Sequence, residues 1–300
     1  MTPADTIGLR PSTIKTYHKT PYPAISPFRP ELSQAGKTVL IAGGSSGIGF
    51  AIARAFVQAK ASHLILLGRR EDVLKSAAST LTAYSTDNST SIVPMVCDIT
   101  SLSDTARLFD SLKSDNIFAD VLVLNAATTG EVKPLLEAGV ASVWNAFEFN
   151  VRTLMDLTER FYKQAGTRQK YLVNVSSSAV HNFHADAVVM PAYGLTKNSG
   201  TLLVQQIAKD VSPDDMQIVS FHPGGVLTDL GRAKGVKEEF YDWDDENLPG
   251  QFAVWLASPE AKFAHGRMLA AHWDVDELKG EAKKKMEGQW NYLKVGVVGI

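Results

Sequence analysis

Residues 37–50 read Lys-Thr-Val-Leu-Ile-Ala-Gly-Gly-Ser-Ser-Gly-Ile-Gly-Phe, an apolar run that breaks into four glycines within seven residues. The run predicts a buried strand, the glycines a tight turn, and the residues from Phe50 to Lys60 a helix. Such a turn lets backbone approach a ligand where no Cβ stands in the way, and the free N–H groups at the helix start face an anion. Strand, glycine turn and helix in this order predict a pyrophosphate site at Gly43, Ser45, Ser46, Gly47, Ile48 and Gly49, with the serine hydroxyls as further donors. A ligand-free glycine turn has the same composition, so the reading depends on the rest of the chain.

Working outward, six more apolar runs follow: HLILLG, IVPMVC, DVLVLN, KYLVNV, MQIVSF and RMLAA. Runs apolar on both faces, alternating with helical stretches at Glu71 to Thr82, Leu102 to Ser114 and Thr196 to Val211, predict parallel strands joined by crossover helices. The expected fold is one α/β domain, a Rossmann-type doubly wound sheet of about seven parallel strands with helices on both faces. It spans 37–280, followed by a tail at 281–300. Residues 1–36 carry six prolines and no sustained period, so they are expected to form an extended arm that lies on the domain or stays mobile.

The chain has 300 residues, 30 basic and 32 acidic side chains, a net charge of −2 and 45% hydrophobic residues. This balance gives no electrostatic footprint for nucleic acid or an anionic membrane. A lone cysteine, Cys97, excludes an internal disulfide and Cys-based zinc sites and suits a reducing compartment. No run approaches the ~20 apolar residues of a membrane helix, and the N-terminus lacks the apolar core of a signal peptide, so a cytoplasmic protein is expected. No histidine pair has a metal spacing, and no metal is expected.

The second run ends at Gly68, followed by Arg69 and Arg70. A carboxylate there would accept from a ribose 2′-OH, whereas a guanidinium suits a 2′-phosphate through charge-assisted contacts. Tyr193-Gly-Leu-Thr-Lys197 places a phenol and an ammonium at i and i+4, on one helix face, where the cation is expected to lower the phenol towards working pH.

The G-x-x-x-G-x-G spacing, together with these features, resembles the short-chain dehydrogenase/reductase family over about residues 37 to 275. The resemblance implies several roles. Arg69 stands where NADP-dependent members carry an arginine. Asp98 and Ile99 match a step beside the adenine, although Asp98 also reads as an N-cap for the next helix. Asn125 borders the cofactor. Pro223, Gly224, Val226 and Thr228 match the segment that meets the nicotinamide. Asn150, Ser177, Tyr193 and Lys197 match the family's proton-transfer set, with Ser178 the alternative serine. Ala42 and Ala127 depart from the family's threonine and glycine. The ending and the arm look like members from filamentous fungi, which implies secondary metabolism.

The expected activity is an NADP(H)-dependent oxidoreductase interconverting a ketone and a secondary alcohol on a bulky apolar or aromatic small molecule. Tyr193 would be the acid/base, Lys197 would tune it and hold the ribose hydroxyls, Ser177 would orient the carbonyl, and Asn150 would support a water-linked proton path. Residues 229–249, with Phe240, Tyr241 and Trp243, are expected to form a mobile lid over a pocket also lined by the loop from His181 to Met190. Either His181 or His184 is a candidate for substrate contact, while His222 reads as packing. Resemblance also implies a homodimer or homotetramer. Two alternatives remain open: a non-redox enzyme of the same fold, a dehydratase or epimerase, and a nucleotide-sensing protein without turnover.

Overall fold

The computed structural model describes residues 9–85, 89–166, 168–181, 190–228, 231–232 and 235–296. Seven strands form one parallel sheet: β1 Thr38–Ala42, β2 His63–Gly68, β3 Ser91–Val96, β4 Val121–Leu124, β5 Lys170–Val175, β6 Met216–His222 and β7 Met268–Ala270. Their order is β3-β2-β1-β4-β5-β6-β7, all pairs parallel, as the apolar runs predict. The order reverses between β1 and β4, and at such a switch point the crossover helices part and leave a crevice at the carboxyl ends of the strands.

Alternation along each strand divides the core in two. Val39, Ile41, Leu64 and Leu66 face one side, against Ile52 and Phe56 of α1 (Gly47–Gln58), Leu74 of α2 (Glu71–Thr82), and Phe252 and Trp255 of α7 (Asn247–Leu256). Leu40, Ile65, Leu122 and Leu172 face the other. They meet Leu108 of α3 (Leu102–Ser114), Leu157 and Phe161 of α5 (Thr153–Tyr162), and Val204 of α6 (Pro191–Asp210). Only β3 departs from the doubly buried expectation. It is the edge strand, its side chains are half-buried or exposed, and it tolerates Pro94 opposite Leu66 because an edge strand needs no donor on its outer side. A helix absent from the sequence reading, α4 (Leu135–Phe147), leads through a π-helical turn at Glu148–Arg152 into α5.

The N-terminal residues lie on the domain as a strap. Tyr17 bridges Trp273 in an antiparallel contact, His18 N donates to His272 O at 2.7 Å, and the Tyr22 hydroxyl donates to Trp273 O at 2.9 Å. Ile25 and Leu32 are fully buried in the main core. The tail closes the outer edge of β7, where Met268 N donates to Leu293 O at 2.8 Å. Among the described residues no helix is long and apolar enough to cross a membrane.

Candidate active site

The glycine turn opens at the end of β1. Gly43 and Gly47 both have positive φ, +76° and +51°, which a side chain rarely adopts. A Cβ on Gly43 would lie 3.1 Å from Ala126, and one on Gly47 3.2 Å from Cγ2 of Thr228. Gly49 is the tightest, since a Cβ there would fall 2.0 Å from the Gly43 carbonyl oxygen. Ser46 caps α1 without a side-chain bond to the helix, so donors at the helix start stay available for an anion. Family threonine is replaced by Ala42, yet the turn is tied down differently: Nδ2 of Asn125 donates to Gly43 O at 2.9 Å, and Ala126 N donates to Ala42 O at 2.9 Å. The cradle therefore fits a pyrophosphate, and Ala42 does not loosen it.

Arg69 and Arg70 are exposed at the end of β2, and no hydrogen bond or ion pair engages either guanidinium among the described residues. The next residue in sequence, Glu71, is paired with Lys75 at 2.6 Å. Asp98, after β3, closes its own turn by accepting from Thr100 N at 2.9 Å and the Thr100 hydroxyl at 2.7 Å. The N-cap of α3 is Ser101, which accepts from Asp104 N, so the capping role expected of Asp98 belongs to its neighbour. Ile99 is buried beside it.

At the end of β5 three serines separate by environment. The Ser176 hydroxyl is buried against Thr201 at 2.6 Å, and Ser178 is buried with its N–H on Nδ1 of His222 at 3.1 Å. The Ser177 side chain faces the phenol of Tyr193, where it favours the ionised form, and its hydroxyl accepts from Ala179 N at 3.1 Å. Ser177, rather than Ser178, therefore faces the tyrosine. Helix α6 starts at Pro191, five residues before the expected Thr196, because proline suits the first helical position. Tyr193 thus sits in its first turn, half-buried, with Nζ of Lys197 5.8 Å from its ring centre.

The Lys197 ammonium is buried and donates to Val175 O at 2.8 Å, the last carbonyl of β5. Burial pushes Lys197 down to about 8. The expected lowering of Tyr193 by Lys197 is not what the structure shows. Burial pushes the phenol above its ordinary value, opposed only by the neighbouring Ser177 side chain. The reason is geometric: Nζ is directed at the strand carbonyl.

Asn150 lies in the π turn with its side chain buried. Its Oδ1 accepts from Thr128 N at 2.8 Å, while Nδ2 donates to Thr128 O at 2.7 Å and to the Thr196 hydroxyl at 2.9 Å. The amide clamps the loop after β4, next to Ala127, onto the helix that carries Tyr193 and Lys197. Its main-chain oxygen faces α6 near Gly200, where an added Cβ would approach it to 3.2 Å.

Beyond β6, Pro223-Gly224-Gly225-Val226 turns with Gly224 at φ +95°, and Thr228 lies over Gly47. This turn is pinned by a residue the sequence reading did not single out. Asp244 accepts from Gly225 N at 2.7 Å, and its own N–H donates to Gly225 O at 2.8 Å. Nothing local marks Asp244, since the partner is nineteen residues away.

The expected lid is correspondingly divided. Residues 242–247 are fixed: Lys19 of the strap pairs with Asp242, Asp245 N donates to Lys19 O at 2.8 Å, and Arg54 binds Glu246 at 2.9 Å. Phe240 and Tyr241 are exposed, and Tyr241 meets Trp243 edge-on. Residues 229–230 and 233–234, and most of the loop between His181 and Met190, including His184, lie outside the described residues. His181 lines a separate cavity of about 180 Å³ with Leu9, Trp273 and Lys294.

Comparison with known proteins bears on the whole chain. The family described as short chain dehydrogenase matches residues 37–239. A short chain dehydrogenase/reductase of Aspergillus aculeatus, AacuD, is 32% identical over 290 residues, 97% of each chain. One from Claviceps purpurea is 34% identical over 291 residues, covering 96% of this chain and 95% of its own. Among solved structures, the Pseudomonas aeruginosa RhlG/NADP active-site complex superimposes with a TM-score of 0.71 at 21% identity, covering 81% of this chain and 97% of that one. L-Sorbose reductase from Gluconobacter frateurii, complexed with NADPH and L-sorbose, does so at 0.68 and 22% identity, covering 80% and 96%. The relatives match nearly the full length and the fold about four fifths of it: the chain belongs to the short-chain dehydrogenase/reductase family, oxidoreductases that use a nicotinamide cofactor.

Proposed function

We propose that this chain is an NADP(H)-dependent oxidoreductase that interconverts a ketone and a secondary alcohol on a bulky apolar or aromatic small molecule. The observation that carries the reading is the Tyr193 phenol, faced by Ser177 and backed by Lys197, at the carboxyl ends of the strands beside the glycine cradle. The nicotinamide, when bound, supplies or accepts the hydride. Because burial pushes Tyr193 up, the phenol holds its proton at neutral pH and is poised to give it to the oxygen of a ketone undergoing reduction. The Ser177 hydroxyl orients that oxygen. Lys197, still mostly protonated at pH 7, spends one N–H on Val175 O and has others for the ribose hydroxyls.

Preference for the 2′-phosphate rests on Arg69 and Arg70, whose guanidiniums are exposed and unengaged at the end of β2, with Glu71 held by Lys75. The apolar substrate wall rests on the rings of Phe240, Tyr241 and Trp243. Self-association is supported by exposed apolar side chains on α4, where Leu136 is 99%, Val140 84% and Trp144 62% exposed. A monomer by sedimentation would remove that part of the reading.

The test of function is NADPH consumption with a panel of aryl and branched alkyl ketones, together with the dissociation constants of NADPH and NADH. The expected result is ketone-dependent NADPH oxidation with tighter binding of NADPH. Cofactor binding without turnover of any ketone or alcohol would favour the sensing alternative.

A further inference from the structure

The buried histidine at the end of β6 has a polar partner as well as packing contacts. Nδ1 of His222 lies 3.1 Å from the backbone N of Ser178. A backbone N–H can only donate, so Nδ1 is the acceptor and the ring proton sits on Nε2. Ser178 follows Ser177 and opens the short 3-10 turn Ser178–His181. The bond therefore joins β6 to the backbone immediately after the serine that faces Tyr193.

The ring is held from behind. His272 lies edge-on to His222 with centres 6.0 Å apart, and Tyr17 of the strap stacks on His272 at 5.7 Å. His222 and His272 are 8% and 6% exposed. Burial pushes His222 down to about 3, helped by repulsion from His272 and His181. The imidazole is consequently neutral at pH 7, and Nδ1 is an acceptor.

We propose that His222 is a positioning residue for the reaction: by accepting the Ser178 N–H it fixes the turn that aims the Ser177 hydroxyl at Tyr193 and at the substrate oxygen. This rests on the functional reading above, in which Ser177 and Tyr193 meet the carbonyl. A serine on an untethered turn still folds into place part of the time, but a displacement on the order of 1 Å at a reacting group costs up to ~10²-fold in rate. The glycine cradle, Arg69 and Asp98 follow β1, β2 and β3, away from β6 in the sheet order, so cofactor affinity should shift by no more than a few-fold, through the Pro223–Thr228 segment that directly follows His222.

The experiment compares His222→Leu, His222→Asn and His222→Gln. An Asn side chain places its amide where Nδ1 stands and can accept from Ser178 N, whereas Gln places its amide near the Nε2 position and Leu offers no acceptor. For each variant, kcat and KM for the ketone are measured where hydride transfer limits the rate, with the NADPH dissociation constant and thermal midpoint. The expected result is a kcat lowered about 10–10²-fold in His222→Leu and His222→Gln, recovery to within about threefold of wild type in His222→Asn, and NADPH affinity within a few-fold of wild type in all three. If His222→Leu does not fold, the contrast between Asn and Gln carries the same test. Equal kcat in the Asn and Gln variants, or a loss confined to KM or NADPH affinity, overturns the proposal. Active Tyr193→Phe would instead overturn the functional reading and leave the His222 contrast as a separate fact.

Discussion

Replacing Asn150 by alanine separates two roles that the sequence could not. In the structure its amide makes three hydrogen bonds, two to the backbone of Thr128 and one to the Thr196 hydroxyl. Each contributes about 0.5–1.5 kcal/mol net, and the half-buried Thr128 N–H and C=O are left short of partners when the amide goes. Alanine returns about 0.6 kcal/mol of helical preference in the turn. The net loss is thus about 1–4 kcal/mol, read as a lower urea midpoint at unchanged m. Asn150→Asp should lose the two bonds that Nδ2 donates and set a carboxylate against Thr128 O, so it should do no better than alanine. Turnover should fall with stability, since Thr196 lies between Tyr193 and Lys197 on α6. A stability change below about 0.5 kcal/mol accompanied by collapse of turnover would refute the clamp. The expected proton-path role would then stand in its place.

Three further outcomes follow from other parts of the molecule. Arg69→Ala should weaken NADPH binding more than tenfold (about 1.4 kcal/mol) and leave NADH binding nearly unchanged, measured by fluorescence titration. Wild type that binds NADH at least as tightly as NADPH would count against the 2′-phosphate assignment. Lys197, pushed down to about 8 by burial, releases its proton in the folded state before the unfolded chain does. Between about pH 8 and the ordinary lysine value near 10.5 the unfolded state binds more protons, so this group makes stability rise with pH across that window, by up to about 3 kcal/mol. Urea unfolding of Lys197→Met should show a shallower rise than wild type, and identical slopes would show that Lys197 is not so perturbed. In hydrogen exchange, amides at 242–249 should be protected without ligand, because Asp244, Asp245 and Arg54 hold this stretch. Equal protection before and after adding cofactor and ketone is expected there, with gains confined to the stretch before it. A ligand-dependent gain across 242–249 would restore the larger lid.

The sheet was legible because parallel strands buried on both faces leave unmistakable apolar runs, and because glycine turns with positive φ leave composition no choice. The fold class, seven strands and the glycine turn could be read from residues 37 to 270 for that reason. Less visible was β3 as an edge strand, since Ile92, Val93 and Met95 look buried until the strand order is known. Asp244 and His222 escaped functional notice because each acts through one long-range bond to a backbone N–H, which has no side-chain signature in sequence. The phenol illustrates the opposite error. Tyr193 and Lys197 do share a helix face, but spacing alone does not say where an ammonium points, and here it points at Val175 O. Likewise the arm was ambiguous between mobile and docked, because its partners, Trp273, Asp274 and Glu277, lie some 250 residues away.

The most direct test of the account is single-turnover hydride transfer in Tyr193→Phe. The ring, the helix and the glycine cradle remain, so NADPH should bind within a few-fold of wild type. The reduction rate should fall by the ~10²–10⁴ that a positioned general acid supplies. In wild type the oxidative rate should rise with pH as the phenol deprotonates, and that rise should be missing from any residual activity of the variant. Near wild-type hydride transfer in Tyr193→Phe, under conditions where chemistry limits the rate, would contradict the assignment of Tyr193 as the proton donor.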